Sequence, residues 1–196
     1  MNWVRIRKDS IVVNGNVLTT EGSGQAMLKE VYKQHIGGYP KFFKMDALCR
    51  LGFVASELLL QQESPRVADT EHRAVILFNR SSSLCDDRNY QTTIQDSENY
   101  FPSPAVFVYT LPNIVTGEIS IRNKYYGETL FCVLDTFDAH EMCSIVNEAF
   151  LNHMTKDAIM GWVDCESEDD FEACMMLVKH SDKDLTPELI NEIYNK

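Results

Sequence analysis

The chain has 196 residues, 44% of them hydrophobic, and a formal net charge of -11. That length holds one domain with a sizeable core, and the apolar fraction is too high for a disordered chain. The acidic balance argues against nucleic acid or an anionic membrane as a partner, because both demand a basic face. No apolar run is long enough to span a bilayer, and the basic residues of MNWVRIRKDS have no apolar stretch behind them. No signal peptide is therefore read, and a cytoplasmic protein is expected.

No Pro/Gly/Ser-rich or low-complexity stretch divides the chain, so 1–196 is read as one domain. At its start, Ile11-Val12-Val13 and Val17-Leu18 flank Asn14-Gly15, a strong local signal for a hairpin. A helix is expected over 25–35, with Met27, Leu28, Val31 and Tyr32 on one side and Gly37-Gly38 ending it. From Met45 to Gln62, apolar residues recur at helical spacing, and Glu63-Ser64-Pro65 closes that helix. Arg73 to Phe78 is a continuous apolar run of the kind an interior strand carries.

Asp86 to Ile94 reads as a short helix or turn, and Phe101-Pro-Ser-Pro104 as a break. Leu111 to Tyr125 is compatible with a helix, Thr129 to Leu134 with a second buried strand, and Asp138 to His153 with a helix. Asp157 to Val163 and Phe171 to Lys179 read as third and fourth buried strands. The acidic residues between them, Glu166 to Glu172, read as a solvated loop. Thr186-Pro187-Glu188 is a helix start: a capping hydroxyl, proline at the first position and an acid near the positive end. Alternating strands and helices predict an α/β fold, a mixed, mostly parallel sheet with helices on both faces.

The six cysteines show neither a CxxC pair nor zinc spacing, and are read as reduced core residues. His140 and Cys143 share a helical face but offer a metal only two ligands, so no metal and no cofactor are expected.

Three segments, in order, resemble those of β-ketoacyl synthases, the thiolase-like condensing enzymes. Lys44-Met-Asp-Ala-Leu-Cys-Arg-Leu-Gly-Phe-Val-Ala is similar to an early helix of that family. Pro104-Ala-Val-Phe-Val-Tyr-Thr-Leu-Pro-Asn113, with Gly117 and Ile119-Ser120, resembles the segment that precedes the nucleophile and is the most specific of the three. Gly127-Glu-Thr-Leu-Phe, the 138–153 helix and Lys156-Asp-Ala-Ile-Met-Gly161 resemble the nucleophile strand, its helix and the strand after it.

The resemblance spans roughly residues 40 to 165. It implies a truncated N-terminal half, since domains of that fold pair two similar halves. It also implies where the active cysteine belongs, at the end of a strand and the start of a helix, where helix N–H groups activate it. Counting forward from Gly127 reaches Thr136, and counting back from Asp157 reaches Phe137. The window Asp135-Thr136-Phe137-Asp138 contains no cysteine. Cys132 falls inside the strand and Cys143 more than a turn into the helix, so neither is expected to substitute. The family's catalytic histidines belong to its C-terminal half, and none of the five histidines here matches its motifs.

The expected role is a non-catalytic ketosynthase-like subunit, comparable to a chain length factor. It would work beside a complete ketosynthase and its acyl-carrier protein in fatty-acid or polyketide-type synthesis. The resemblance further implies a homo- or heterodimer contacting through Thr129 to Phe150. The alternatives are an acyl-transfer or hydrolytic enzyme using His140 with Asp135 or Asp138, and a homodimeric scaffold unrelated to acyl chains.

Overall fold

Residues 1–64, 70–151, 154–180 and 185–196 are described by a computed structural model. The expected boundaries at Pro65 and His153 lie outside them. The amino end contributes one strand more than the sequence suggests. β1 (Asn2–Arg7) pairs antiparallel with β2 (Ser10–Val13), which turns through Asn14-Gly15 into β3 (Asn16–Leu18). Asn14 and Gly15 stand at φ 50° and 85°, the left-handed region that a two-residue hairpin loop requires. β1 is hard to see in the sequence because Arg5 and Arg7 interrupt its apolar residues. Trp3 and Val4 are both buried because the sheet is covered on its two sides.

α1 (Gly24–Val31) widens into a π-turn, Tyr32–Ile36, and stops at Gly37. α2 (Ala47–Leu60) starts where the Asp46 carboxylate accepts from the Cys49 N–H at 2.9 Å. Of its 14 residues only Arg50 is not buried, the mark of an interior helix. β4 (Arg73–Asn79) is buried throughout.

α3 (Leu84–Thr92) follows, and the Phe101–Pro104 break leads into a helix of its own, α4 (Pro104–Tyr109). The Ser103 hydroxyl caps it and Pro104 fills its first position. α5 (Ile114–Asn123) is shorter than the expected 111–125 stretch and ends at Lys124, φ 57°. β5 (Thr129–Val133), α6 (Ala139–Phe150), β6 (Asp157–Ser167), β7 (Asp170–Lys179) and α7 (Pro187–Asn195) complete the chain. The Thr186 hydroxyl accepts from the Leu189 N–H at 3.2 Å and caps α7.

Among the described residues, seven strands form one sheet in the order β3-β2-β1-β7-β6-β4-β5. β4 pairs parallel with β5 and β6, and the other ladders are antiparallel. Followed through those pairings, β1, β3, β4, β5 and β6 run one way, with β2 and β7 reversed. The expected mixed α/β sheet is therefore present, with its parallel ladders confined to one end. β5 corrects the expectation of a second buried strand: among the described residues it is an outermost strand, bonded to β4 alone, and its Thr129 and Val133 are exposed.

Strand alternation divides the core in two. Val75, Leu77, Ile159, Val163 and Met175 face α1, α2 and α5, while Ile76, Phe78, Met160, Trp162 and Met176 face α6 and α7. Gly127 and Gly161, both within the family-like segments, mark close approaches: a Cβ would stand 2.2 Å from the Arg73 carbonyl oxygen and 2.4 Å from that of Cys174. The expected loop at 166–172 is corrected to a tight hairpin: Glu166 lies on β6, Asp170 and Glu172 on β7, and only Glu168 and Asp169 form the turn, because the strands run on past the apolar residues.

Candidate functional site

Ligand crevices in open α/β sheets lie beyond the carboxyl ends of parallel strands. Here that end opens into a cavity of about 430 Å³. Its walls come from the β1–β2 turn (Arg7, Lys8, Asp9), from Arg80 after β4 and from Thr136 and Phe137 after β5. Trp162, Asp164 and Glu166 on β6, Asp170, Phe171 and Glu172 on β7, and Tyr194 on α7 complete them. Thr136 and Phe137, the two residues singled out by the sequence resemblance, thus both line the cavity.

Their chemistry is not that of a nucleophile. Thr136 is exposed, and among the described residues no hydrogen bond places a base against it. The Phe137 ring stacks on Tyr194, centroids 3.8 Å apart and planes 13° from parallel, and meets the edge of Trp162 at 5.6 Å. The Tyr194 hydroxyl donates to Glu172 Oε1 at 2.5 Å, and burial together with that carboxylate pushes its pKa well above the ordinary tyrosine value.

The start of α6 is also committed. Asp138 Oδ1 accepts from the His140 and Glu141 N–H groups at 2.9 and 3.1 Å. The helix N–H groups that would steady a thiolate or an oxyanion instead hold a carboxylate, whose charge opposes both.

The polar wall is equally engaged. Asp164 Oδ1 accepts from the Arg80 and Ser81 N–H groups at 3.2 and 2.8 Å, and Arg80 pairs with Glu166 at 2.9 Å. Arg7 Nη2 donates to the Tyr194 carbonyl at 3.3 Å.

The remaining candidates lie elsewhere. Cys132 is half-buried on β5, where burial and Glu141 push its thiol pKa up. Cys143 is buried in α6, takes a hydrogen bond from Asn147 Nδ2 at 3.4 Å and donates to the Leu185 carbonyl at 3.5 Å. Burial raises its pKa too. Asp135, Asp138 and His140 are exposed. Among the described residues no group of three His, Cys, Asp or Glu side chains is arranged to hold a metal ion.

Trp162, Asp164, Glu166 and Tyr194 were not legible as site residues. The signal for the first three was their period of two along one strand, which places them on one face. Nothing local marks Tyr194, since only the packing of α7 brings it to Phe137.

A second surface stands out on the same fold. α4 is wholly apolar, yet none of its residues is buried. Phe107, Val108 and Leu111 are 52%, 46% and 51% exposed, and Tyr100 and Phe101 are 57% and 74% exposed. The helix is nonetheless fixed: the Tyr109 hydroxyl donates to the buried Glu118 at 3.4 Å, Ser83 Oγ donates to the Thr110 carbonyl at 2.7 Å, and Tyr90 packs against Phe107. Exposed apolar residues grouped in this way form the kind of patch found at interaction surfaces.

No family model and no curated protein matches the sequence. Solved structures do match the fold. The ishigamide ketosynthase/chain length factor superposes with a TM-score of 0.62 at 15% identity, over 93% of this chain and 62% of that one. The ketosynthase ApeO in complex with its chain length factor ApeC, from Xenorhabdus doucetiae, gives 0.60 at 13%, over 100% of this chain and 89% of the matched chain. AntDE:AntF, a type II PKS acyl-carrier protein in complex with its ketosynthase bound to the hexaketide, gives 0.57 at 13%, over 91% and 61%. The chain thus spans about three fifths of the first and third of these proteins. Strand order, the buried helix α2 and these superpositions together establish a thiolase-like, ketosynthase-type α/β fold for this chain.

Proposed function

We propose that the chain is a non-catalytic ketosynthase-like subunit that pairs with a complete ketosynthase and, through it, serves an acyl-carrier protein in cytoplasmic polyketide- or fatty-acid-type synthesis. One observation carries the reading: Phe137, where the sequence resemblance sets the nucleophile position, lies stacked on Tyr194, and Asp138 beside it occupies the helix N–H groups. A ketosynthase-type fold with that position closed has no condensing chemistry of its own, so its contribution is made to a partner.

Three further features support pairing. The outer edge of β5 carries no strand among the described residues, and an unpaired edge is a template for a second chain. α4 offers an ordered apolar patch. The structural neighbours include ketosynthase complexes with a chain length factor and with an acyl-carrier protein. One such complex contains a chain of which this one covers 89%, so a domain of this size is compatible with such an assembly.

The test is reconstitution. The ketosynthase from the same gene cluster is assayed with acyl- and malonyl-loaded carrier protein, alone and with this chain added. The reading requires condensation to depend on the added chain in rate or product length, and requires the chain by itself to form no product. Ketosynthase activity indifferent to the addition contradicts it.

A further inference from the structure

The apolar face of α4 is bordered by charge of one sign. From Ser81 to Ile121 the chain carries five carboxylates against one guanidinium, Arg88. Two of the five are used inside the fold: Glu118 is buried and meets Lys41 at 2.7 Å, and Asp86 is buried in the first turn of α3. The other three, Asp87, Asp96 and Glu98, are exposed, and among the described residues none of them is in an ion pair. Arg88 is turned elsewhere, its Nη1 donating to the Glu166 carbonyl on β6 at 2.9 Å.

Hydrogen bonds hold these acids against the patch. Ser83 Oγ lies 3.3 Å from both carboxylate oxygens of Asp87 and donates to the Thr110 carbonyl at 2.7 Å, which sets Asp87 beside the carboxyl end of α4. The Glu98 N–H donates to Asp96 Oδ1 at 2.9 Å, in a turn that leads directly into Tyr100 and Phe101. The Phe101 N–H donates to the Thr93 carbonyl at 3.0 Å, and Tyr90 packs against Phe107, so α3 carries both parts of the patch.

A rim of one sign selects what can cover the patch. A second copy seated face to face would set the same carboxylates against each other, and like charges across an interface oppose association. The complementary occupant has an apolar centre with lysine or arginine side chains around it.

We propose that the α4 face docks a basic surface of the partner ketosynthase, with apolar side chains seated on Phe107, Val108 and Leu111 and cations opposite Asp87, Asp96 and Glu98. This rests on the proposed pairing with a ketosynthase and adds to it the place and the charge of the contact. The acidic rim speeds encounter with a basic partner and disfavours self-association through the same face.

The dissociation constant of the complex between the full chain and the ketosynthase from the same gene cluster is measured at about 50 and about 500 mM NaCl, across which exposed charge pairs become screened. A patch triple variant, Asp87→Asn, Asp96→Asn and Glu98→Gln, removes the three charges and keeps an acceptor oxygen at each position. A control triple, Glu21→Gln, Glu168→Gln and Glu192→Gln, removes the same charge from exposed positions outside the patch. Wild-type binding must weaken about tenfold or more over that salt range, and the patch triple must bind about tenfold more weakly at low salt, mainly through slower association. The control must stay within about twofold of wild type. A complex whose affinity ignores salt, or one that both triples weaken equally, overturns this inference and leaves the pairing standing. A homodimer of the isolated chain that Phe107→Asp dissociates also overturns it, since a second copy then covers the patch. Absence of any complex overturns the pairing and this inference together. The wild-type salt series needs no variant, so poor folding of a triple leaves the test intact.

Discussion

Phe137 lies flat against Tyr194, ring centroids 3.8 Å apart, and so ties the loop after β5 to the last helix of the chain. Phe137→Ala removes the stack and the edge contact with Trp162. It is expected to cost about 1–3 kcal/mol in chemical denaturation, the range for deleting a partly buried aromatic ring. Tyr194→Phe keeps the stack and loses only the hydrogen bond to Glu172, so its cost should be the smaller. Equal losses would show that the ring contact contributes nothing beyond the hydroxyl.

Restoring a thiol should not restore chemistry. In Phe137→Cys, or in Thr136→Cys, the sulfur stands beside Asp135 and Asp138, and Asp138 still occupies the His140 and Glu141 N–H groups. Neither variant is expected to condense acyl groups when supplied with malonyl- and acyl-loaded carrier protein. Turnover by a single substitution would disprove the claim that this site is closed.

Arg73 is fully buried and is held by Glu63 at 2.8 and 2.9 Å, by Asp157 and by the Tyr125 hydroxyl. Burial works against its charge, yet the hydrogen bonds it donates to Glu63 and Asp157 outweigh this and raise the guanidinium pKa. Arg73→Ala leaves two carboxylates uncompensated where β4 meets β6 and should destabilise by about 3–5 kcal/mol. Arg73→Lys should recover only part of this, because an ammonium cannot serve both carboxylates in the same fork geometry. Thermal unfolding of the two variants decides the order.

Asp86 gives a pH signature. It is buried, its Oδ2 has no hydrogen-bond partner among the described residues, and burial with Asp46 and Asp87 nearby pushes its carboxyl up to about 6. A folded value above the unfolded one favours the protonated form in the native state. Stability from this group is therefore full below about pH 4 and is lost as pH rises through about 6. Asp86→Asn should raise stability at pH 7, on the order of 1–3 kcal/mol, and change little at pH 4. A variant equally affected at both values would show that Asp86 does not titrate in this way.

The elements were legible where local chemistry decides them. Asn14-Gly15 announced the hairpin, Thr186-Pro187-Glu188 announced α7, and the apolar spacing of 45–62 announced the buried helix α2. What failed depends on neighbours distant in sequence. The apolar run at Thr129 reads the same on a central or an outer strand, and only pairing with β4 alone exposes it. β1 was hidden by its arginines, and α4 by the prolines that in fact start it. At the site, Thr136 and Phe137 were placed by the family resemblance, whereas Tyr194 reaches Phe137 only through the folding of α7 onto the sheet.

The most direct test of the subunit reading is the mass of the complex. Light scattering coupled to size exclusion is run on the isolated chain, on the ketosynthase from the same gene cluster, and on their mixture. Phe107→Asp is run in parallel, to place a charge on the exposed face of α4 without disturbing a buried residue. One particle with the summed mass of both wild-type chains is expected, with at least a tenfold weaker association for the variant. A wild-type mixture that elutes as its two separate components, each at its own mass, would contradict the subunit reading.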